Sequence, residues 1–316
     1  MRGSMVYQVT QIFNKSKILQ VGRSKHAAKS AARKNGARTW ADMGKSLAIY
    51  SYKTAESYKD TWHQFANFCK VKFNLMDIEK TSAEHVQAYL VYRIGNGIAI
   101  ATFAKEASAL SKLENALNLY ADRYATGNQY DFRKGISSVT KEARLVLPKA
   151  DPHRSYPFVD VILGNIGNEK HRVAAQTQLL SGARIHEISL IKIGQLRGIG
   201  HDDDTGAQGG KIEIKGKGGK IRELCVTPEI YEKISDIIKS DGEFRIDKNK
   251  YRTDMRRACE ICDAEYNGTH GLRWTYAQDR MAELQSVHNK TYEEALLIVS
   301  KELGHERPDV TEHYLR

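Results

Sequence analysis

Arginine, lysine, histidine and tyrosine fall in four short pieces across the second half of the chain. The first is Gly182-Ala183-Arg184-Ile185-His186-Glu187, an arginine at a helix start with a carboxylate three residues on. The second is Gly216-Lys217-Gly218-Gly219-Lys220-Ile221-Arg222, and the third is His270-Gly271-Leu272-Arg273. The fourth is Leu303-Gly304-His305, followed nine residues later by Tyr314 in Thr311-Glu312-His313-Tyr314. Guanidinium groups pair bidentately with oxyanions, imidazoles move protons, and a phenol can form a covalent ester. Taken singly, each piece also has an ordinary structural reading: an ion pair within a helix, a solvated turn, a packed ring.

The charge balance narrows the class of partner. The 316-residue chain carries a net charge of +11. Between Asn14 and Lys45 lie nine basic residues (Lys15, Lys17, Arg23, Lys25, Lys29, Arg33, Lys34, Arg38 and Lys45) against one acid, Asp42, so most of that surplus sits in one segment. Such a segment suits a polyanion, because each cation that meets a phosphate releases condensed counterions. No apolar run is long enough to span a bilayer, and no secretion signal opens the chain. Met1-Arg2-Gly3-Ser4 has the pattern of a vector-derived leader before a second start at Met5. The four cysteines read as reduced thiols of a cytoplasmic protein, and Cys259-x-x-Cys262 lacks the second ligand pair a zinc site needs. No carboxylate cluster suggests a metal. Gly44-Lys45-Ser46 is not a P-loop, since Thr39 stands where the upstream glycine belongs.

The elements that must position the four pieces divide at Pro148, Pro152 and Pro157, which mark a linker over 149–157. Ahead of it the periodicity predicts a helical bundle over 46–148. Tyr58, Trp62, Phe65 and Cys69 share one face, Leu110, Leu113, Leu117 and Tyr120 another, and Thr81 with Glu84 forms a capping-box pattern ahead of Val86, Leu90 and Tyr92. The basic segment 5–45 is a candidate DNA-binding arm. Beyond the linker, Val173–Leu180 and Ile185–Ile191 read as short helices and His201–Gly210 as a loop. Lys211–Lys215 and Ile221–Val226 read as a β-hairpin with a lysine-bearing glycine tip. Met281–Leu284 and Tyr292–Leu303 are helical, with Gly304 as a C-terminal cap. The expected fold is mainly α with a small antiparallel sheet in an α+β second domain, 158–316.

In order, Arg184, a hairpin lysine, His270-x-x-Arg273, Leu303-Gly304-His305 and Tyr314 resemble the signature of the tyrosine site-specific recombinases, a family of integrases, Xer proteins and integron enzymes. The resemblance runs from about Val173 to the C-terminus. More loosely, Thr54–Lys70 is similar to the first helix of that family's SAM-like core-binding domain. It implies an N-terminal core-binding domain followed by a catalytic domain that cuts and rejoins DNA through a 3′-phosphotyrosine. Arg184 and Arg273 would clamp the non-bridging oxygens of the scissile phosphate and His305 would add a hydrogen bond. Tyr314 would be the nucleophile, and because a phenol is protonated at pH 7, His270 is the family's candidate to take its proton. Lys215, Lys217 and Lys220 compete to protonate the leaving 5′ oxygen. The family's G-K-G-x-K-x-R run selects Lys217, leaving Lys215, Lys220 and Arg222 as DNA contacts beside Lys25, Lys29, Arg33 and Lys34. Glu187 matches an acidic position that supports the arginine. No metal, ATP or other cofactor is implied.

The resemblance further implies a homotetramer on double-stranded DNA carrying a specific recombination site, acting through a Holliday junction for a mobile element. An accessory DNA-bending or directionality factor, a nucleoid-associated cytoplasmic location and no membrane contact go with it. Two features depart from the pattern: Trp274 stands where a second histidine is common, and only two residues follow Tyr314, where many relatives carry a helix that couples neighbouring subunits. An Xer-type recombinase, a type IB topoisomerase and a catalytically inactive DNA-binding factor of the same fold are the alternatives.

Overall fold

The computed structural model describes residues 1–149, 153–202, 204–216, 219–305 and 307–315. Lys217, expected as the general acid, lies outside the described residues, as do three residues of the expected linker. The chain divides into two compact units, Met1–Ala150 and Asp151–Arg316.

The first unit is helical. Helix α1 (Met5–Ser16) is capped by Ser4 and buries Met5, Val9, Ile12 and Phe13 at helical spacing. Its Gln8 amide donates to Gly3 O and Met76 O and accepts from Ile78 N–H, each at 2.8 Å, so a buried polar side chain is fully used. The start of the expected basic arm is therefore part of this unit's core. Helices α2 (Lys25–Lys34) and α3 (Trp40–Ser46) follow, then α4 (Tyr52–Phe73), α5 (Ala83–Gly95), α6 (Ile100–Tyr124) and α7 (Arg133–Val146). The predicted stripes pack here: Trp62, Phe65 and Cys69 meet Leu110, Leu113 and Leu117 in one apolar cluster, and the Trp62 indole donates to Ala109 O at 2.6 Å.

The cap of α5 stands one residue later than the sequence pattern predicts. Thr81 Oγ1 donates to Ile78 O and closes the preceding 3-10 turn, leaving Ser82 as the cap, paired with His85 Nδ1 instead of Glu84. Tyr92, expected inside, is half exposed.

The second unit starts with α8 (Val159–Gly164) and α9 (Glu169–Ser181), which ends at Gly182 with φ +60°. Next, α10 (Ile185–Ile188) is a single turn, because Leu190–Ile191 leaves the helical path predicted for it to form strand β1, paired antiparallel with β5 (Phe244–Arg245). Strand β2 (Leu196–His201), unanticipated, joins the predicted hairpin of β3 (Gln208–Lys215) and β4 (Ile221–Val226) in an antiparallel β2-β3-β4 sheet, and its pairing with β3 draws His201 and Gln208–Gly210 out of the loop expected over 201–210. Ile212, Ile214, Leu224 and Val226 are its buried apolar side chains, at the period of two that a half-buried sheet requires. Helices α11 (Pro228–Asp241), α12 (Lys248–Ile261), α13 (Gly271–Ser286), α14 (Tyr292–Glu302) and α15 (Asp309–Glu312) complete the unit. The chain thus has the expected mainly helical architecture with small antiparallel sheets. No helix among the described residues is long and apolar enough to cross a membrane.

Candidate active site

Arg273 projects from the first turn of α13 and is fully buried. Its guanidinium donates to Gly182 O, to Leu303 O at 2.6 Å and to His305 Nε2 at 2.9 Å, while its Nε has no hydrogen-bond partner. The turn after α9 and the turn after α14 are thereby tied to one side chain. Gly182 has to be glycine: besides its positive φ, a Cβ there would stand 2.5 Å from both Leu303 and Tyr276. Gly304, at φ +68°, lets the Arg222 stem pass, since a Cβ would lie 3.2 Å from it.

His305 accepts from Arg273 through Nε2, so its proton sits on Nδ1 and is given to Thr311 Oγ1 at 2.8 Å. That bond joins the 303–305 turn to α15, which leads into the turn that carries Tyr314. The Tyr314 ring lies 5.1 Å from Trp274, 5.4 Å from His305 and 5.6 Å from both His270 and the Arg273 guanidinium carbon. Its hydroxyl meets His270 Nε2 at 3.2 Å, and Gln278 holds its carbonyl at 3.1 Å. Trp274, the departure noted in the sequence, is thus one wall of the tyrosine's slot.

Arg184 caps α10, and its side chain is 29 % exposed. Glu187, nearly buried, accepts from the Arg184 N–H at 2.7 Å, from Arg184 Nη1 at 3.0 Å and from Arg222 Nη2 at 2.9 Å. Burial raises the Glu187 carboxyl's pKa, but the Arg184 backbone bond and the charges of Arg222 and Arg184 outweigh it, leaving it below its ordinary value. Arg222, expected to reach DNA, is instead turned inward. Its side chain is 11 % exposed, and its second amino group donates to Glu302 O.

Of the six expected catalytic residues, Arg184, His270, Arg273, His305 and Tyr314 come together in this unit. Gly216, at the base of the hairpin tip, adjoins Glu187: a Cβ there would be 3.1 Å from its carboxylate. Lys215 and Lys220 flank the tip and are exposed, as are Lys25, Arg33 and Lys34 in the first unit; Lys29 is half buried. Sequence reasoning missed a hub on α13. Arg280 binds Glu302 at 2.8 Å, Asp202 at 3.1 Å and Glu283 at 2.9 Å, and Tyr276 donates to Glu302 at 2.7 Å. The hub fixes the end of α14, whose carbonyls receive Arg222 and Arg273.

Both histidines are held neutral. Burial, then the charges of Arg273 and its neighbours, lowers the pKa of His270 and of His305 from 6.5 to about 4. A base whose pKa falls on folding is protonated first in the unfolded chain, so stability declines as pH drops from 6.5 through 4. In the DNA-free protein, NMR titration should find both rings neutral at pH 6. A midpoint near 6.5 for either ring contradicts the packing described.

No family model matches the sequence, and no curated protein matches it. Solved structures do. The pre-cleavage complex of the XerH site-specific recombinase bound to difH substrate matches with a TM-score of 0.62 at 17 % identity, covering 99 % of this chain and 92 % of that one. The Tn1549 transposon integrase in complex with a circular-intermediate DNA gives 0.57 at 12 % identity, over 98 % and 95 %. A lambda integrase dimer bound to a COC′ core site gives 0.54 at 15 %, over 93 % and 77 %.

Proposed function

We propose that this chain, which has the fold of the tyrosine site-specific recombinases over almost its whole length, is itself a DNA strand-cleaving and rejoining recombinase of the integrase type. The observation that carries this reading is the Tyr314 hydroxyl at 3.2 Å from a neutral His270, among the guanidinium groups of one unit. His270 takes the phenolic proton as the Tyr314 oxygen attacks phosphorus. Arg184 and Arg273 hold the non-bridging oxygens as negative charge grows on them. The bond to the 5′ oxygen breaks, and Lys217 gives that oxygen its proton. The product is a 3′-phosphotyrosine whose ester keeps the energy of the broken bond, so rejoining by a 5′ hydroxyl needs no ATP. His305 orients Arg273 in the DNA-free protein. The phosphate's charge favours moving its proton to Nε2, from which it donates to the phosphate.

The chain would act as a homotetramer on a specific double-stranded site through a Holliday junction, serving integration or excision of a mobile element. Lys215 and Lys220 would touch DNA from the hairpin, and Lys25, Lys29, Arg33 and Lys34 from the first unit. An accessory bending or directionality factor fits the same scheme. The likeness to XerH favours an Xer-type recombinase as the second reading.

Covalent capture tests the proposal: a nicked duplex that loses its 5′ end after cleavage should accumulate on the protein, with the adduct mapping to Tyr314. An adduct on another residue refutes it. The acid has its own test. Lys217→Ala should slow cleavage about 10²–10⁴-fold, as lost general-acid catalysis does. A 5′-thio leaving group, which departs without a proton, should restore most of that rate. No rescue would remove Lys217 from the role.

A further inference from the structure

The basic segment before α4 has an architecture of its own. Leu19 and Ile49 form a parallel bridge: Gln20 N–H donates to Ile49 O at 2.7 Å and Ile49 N–H to Ile18 O at 2.9 Å. The chain thus leaves the core of the first unit at Leu19 and returns at Ile49, and α2 and α3 form an excursion between those closing bonds. In α2 only Ala32 is buried. Arg23, Lys25, Arg33, Lys34 and Arg38 are all exposed, and the outer face of α2 sets His26, Arg33 and Lys34 among the small exposed residues Ala27, Ser30 and Ala31. The one acid of the excursion, Asp42, is occupied as a helix cap, accepting from the Thr39 N–H at 3.0 Å and its hydroxyl at 2.7 Å.

A ten-residue helix with so little burial is marginal in water by itself, and like charges along it make matters worse. The excursion therefore needs an external anchor, and Lys112 on α6 supplies one. Its ammonium donates to Gly44 O and Leu47 O at the C-terminal end of α3, where a cation also suits the helix dipole. Asn115, one turn along α6, adds a bond to Gly44 O at 3.1 Å. Burial, and then the charge of Lys25, lowers the Lys112 pKa to about 8. An ammonium kept in such a place is costly unless well bonded, and among the described residues its hydrogen bonds go to the excursion.

We propose that α2 and α3 form a surface that grips the phosphates of duplex DNA, and that Lys112 is the positioning residue that holds this surface against α6. The inference rests on the reading that the chain acts on DNA and adds to it a clamp of defined extent and its anchor. Charge complementarity selects the occupant. Five exposed cations, Arg23, Lys25, Arg33, Lys34 and Arg38, stand on the excursion against one carboxylate that is engaged in a helix cap, and small residues between them let a sugar–phosphate backbone come close.

Salt dependence measures the contacts directly, because log K falls against log salt by about 0.9 for each phosphate neutralised on B-DNA. The full chain is titrated with a linear duplex of arbitrary sequence at several salt concentrations. The triple variant Lys25→Ala, Arg33→Ala and Lys34→Ala changes only exposed side chains and should fold; its slope should be shallower by about 2–3. Lys112→Met should show a similar loss although Lys112 itself meets no phosphate, whereas Lys112→Arg, which can still donate to both carbonyls, should keep the wild-type slope. Melting curves accompany each variant. An unchanged slope in the triple variant overturns the clamp. A folded Lys112→Met protein with the wild-type slope overturns the anchor, and failure of the wild-type chain to bind any duplex overturns the DNA reading along with this one.

Discussion

Tyr314→Phe is expected to abolish covalent attachment to DNA entirely while leaving DNA binding and folding nearly intact. The substitution removes one oxygen, whose hydrogen bond among the described residues goes to His270. The ring keeps its place against Trp274 and His305, and the backbone keeps its bond to Gln278. Loss of one partly buried hydrogen bond costs about 1 kcal/mol, far too little to unfold the unit. All the cations that would hold a phosphate remain. In the proposed mechanism the ester can no longer form, because the phenolic oxygen is the proposed nucleophile. A denaturing gel of protein incubated with nicked duplex reads the result. Residual adduct at Tyr314→Phe would show that the nucleophile is elsewhere and that the arrangement at His270 has another purpose.

The sequence disclosed the site more fully than the scaffold, and for a physical reason. The arginine, histidine and tyrosine residues stand out by type and order, and five of them converge in the second unit without help from periodicity. Bonds that hold them run between distant residues and leave no local trace. Arg280 joins Asp202, Glu283 and Glu302 across as many as 78 positions, and nothing in the spacing of those residues announces it. Arg222 carried the opposite signal. In a glycine-lysine tip it reads as a DNA contact, yet β4 places it on the inward side, where Glu187 and the Glu302 carbonyl bind it.

Among the elements, long stripes such as Leu110–Leu113–Leu117 were legible, whereas β1 and β5, two residues each, are too short to show a period of two. Leu190–Ile191 therefore read as a continuation of α10. The apolar face Met5, Val9, Ile12 and Phe13, which seats α1 in the core, is a single short stripe that directly precedes the run of charge.

Arg184→Ala and Arg273→Ala should both lose cleavage, and the structure predicts that only one of them loses stability. Arg184 is partly exposed at the mouth of the site, and its side chain bonds Glu187, which keeps Arg222 and the residue-184 N–H when the side chain is cut back. Its removal takes one donor from the transition state, an effect of about 10²–10³-fold, or roughly 3–4 kcal/mol, by comparison with other lost oxyanion contacts. The melting temperature should scarcely move. Arg273 is fully buried and supplies the carbonyls of Gly182 and Leu303 and the Nε2 of His305 at once. Burial and the nearby charge of Arg184 already lower its pKa to about 10, so truncation relieves some desolvation. Against that relief stand two buried carbonyls left without donors, at about 1–3 kcal/mol each, a part-buried imidazole nitrogen that loses its donor, and a cavity the size of the side chain. The two turns it joins, after α9 and after α14, would separate, and His305 would lose the bond that sets its tautomer. Arg273→Ala should therefore melt on the order of 10 °C lower, with cleavage reduced at least as much as in Arg184→Ala. Single-turnover cleavage measured beside thermal melts separates the two cases. Equal melting temperatures for both variants would mean that Arg273 is not the strut its three bonds describe, and wild-type cleavage by Arg184→Ala would take that residue out of the phosphate clamp.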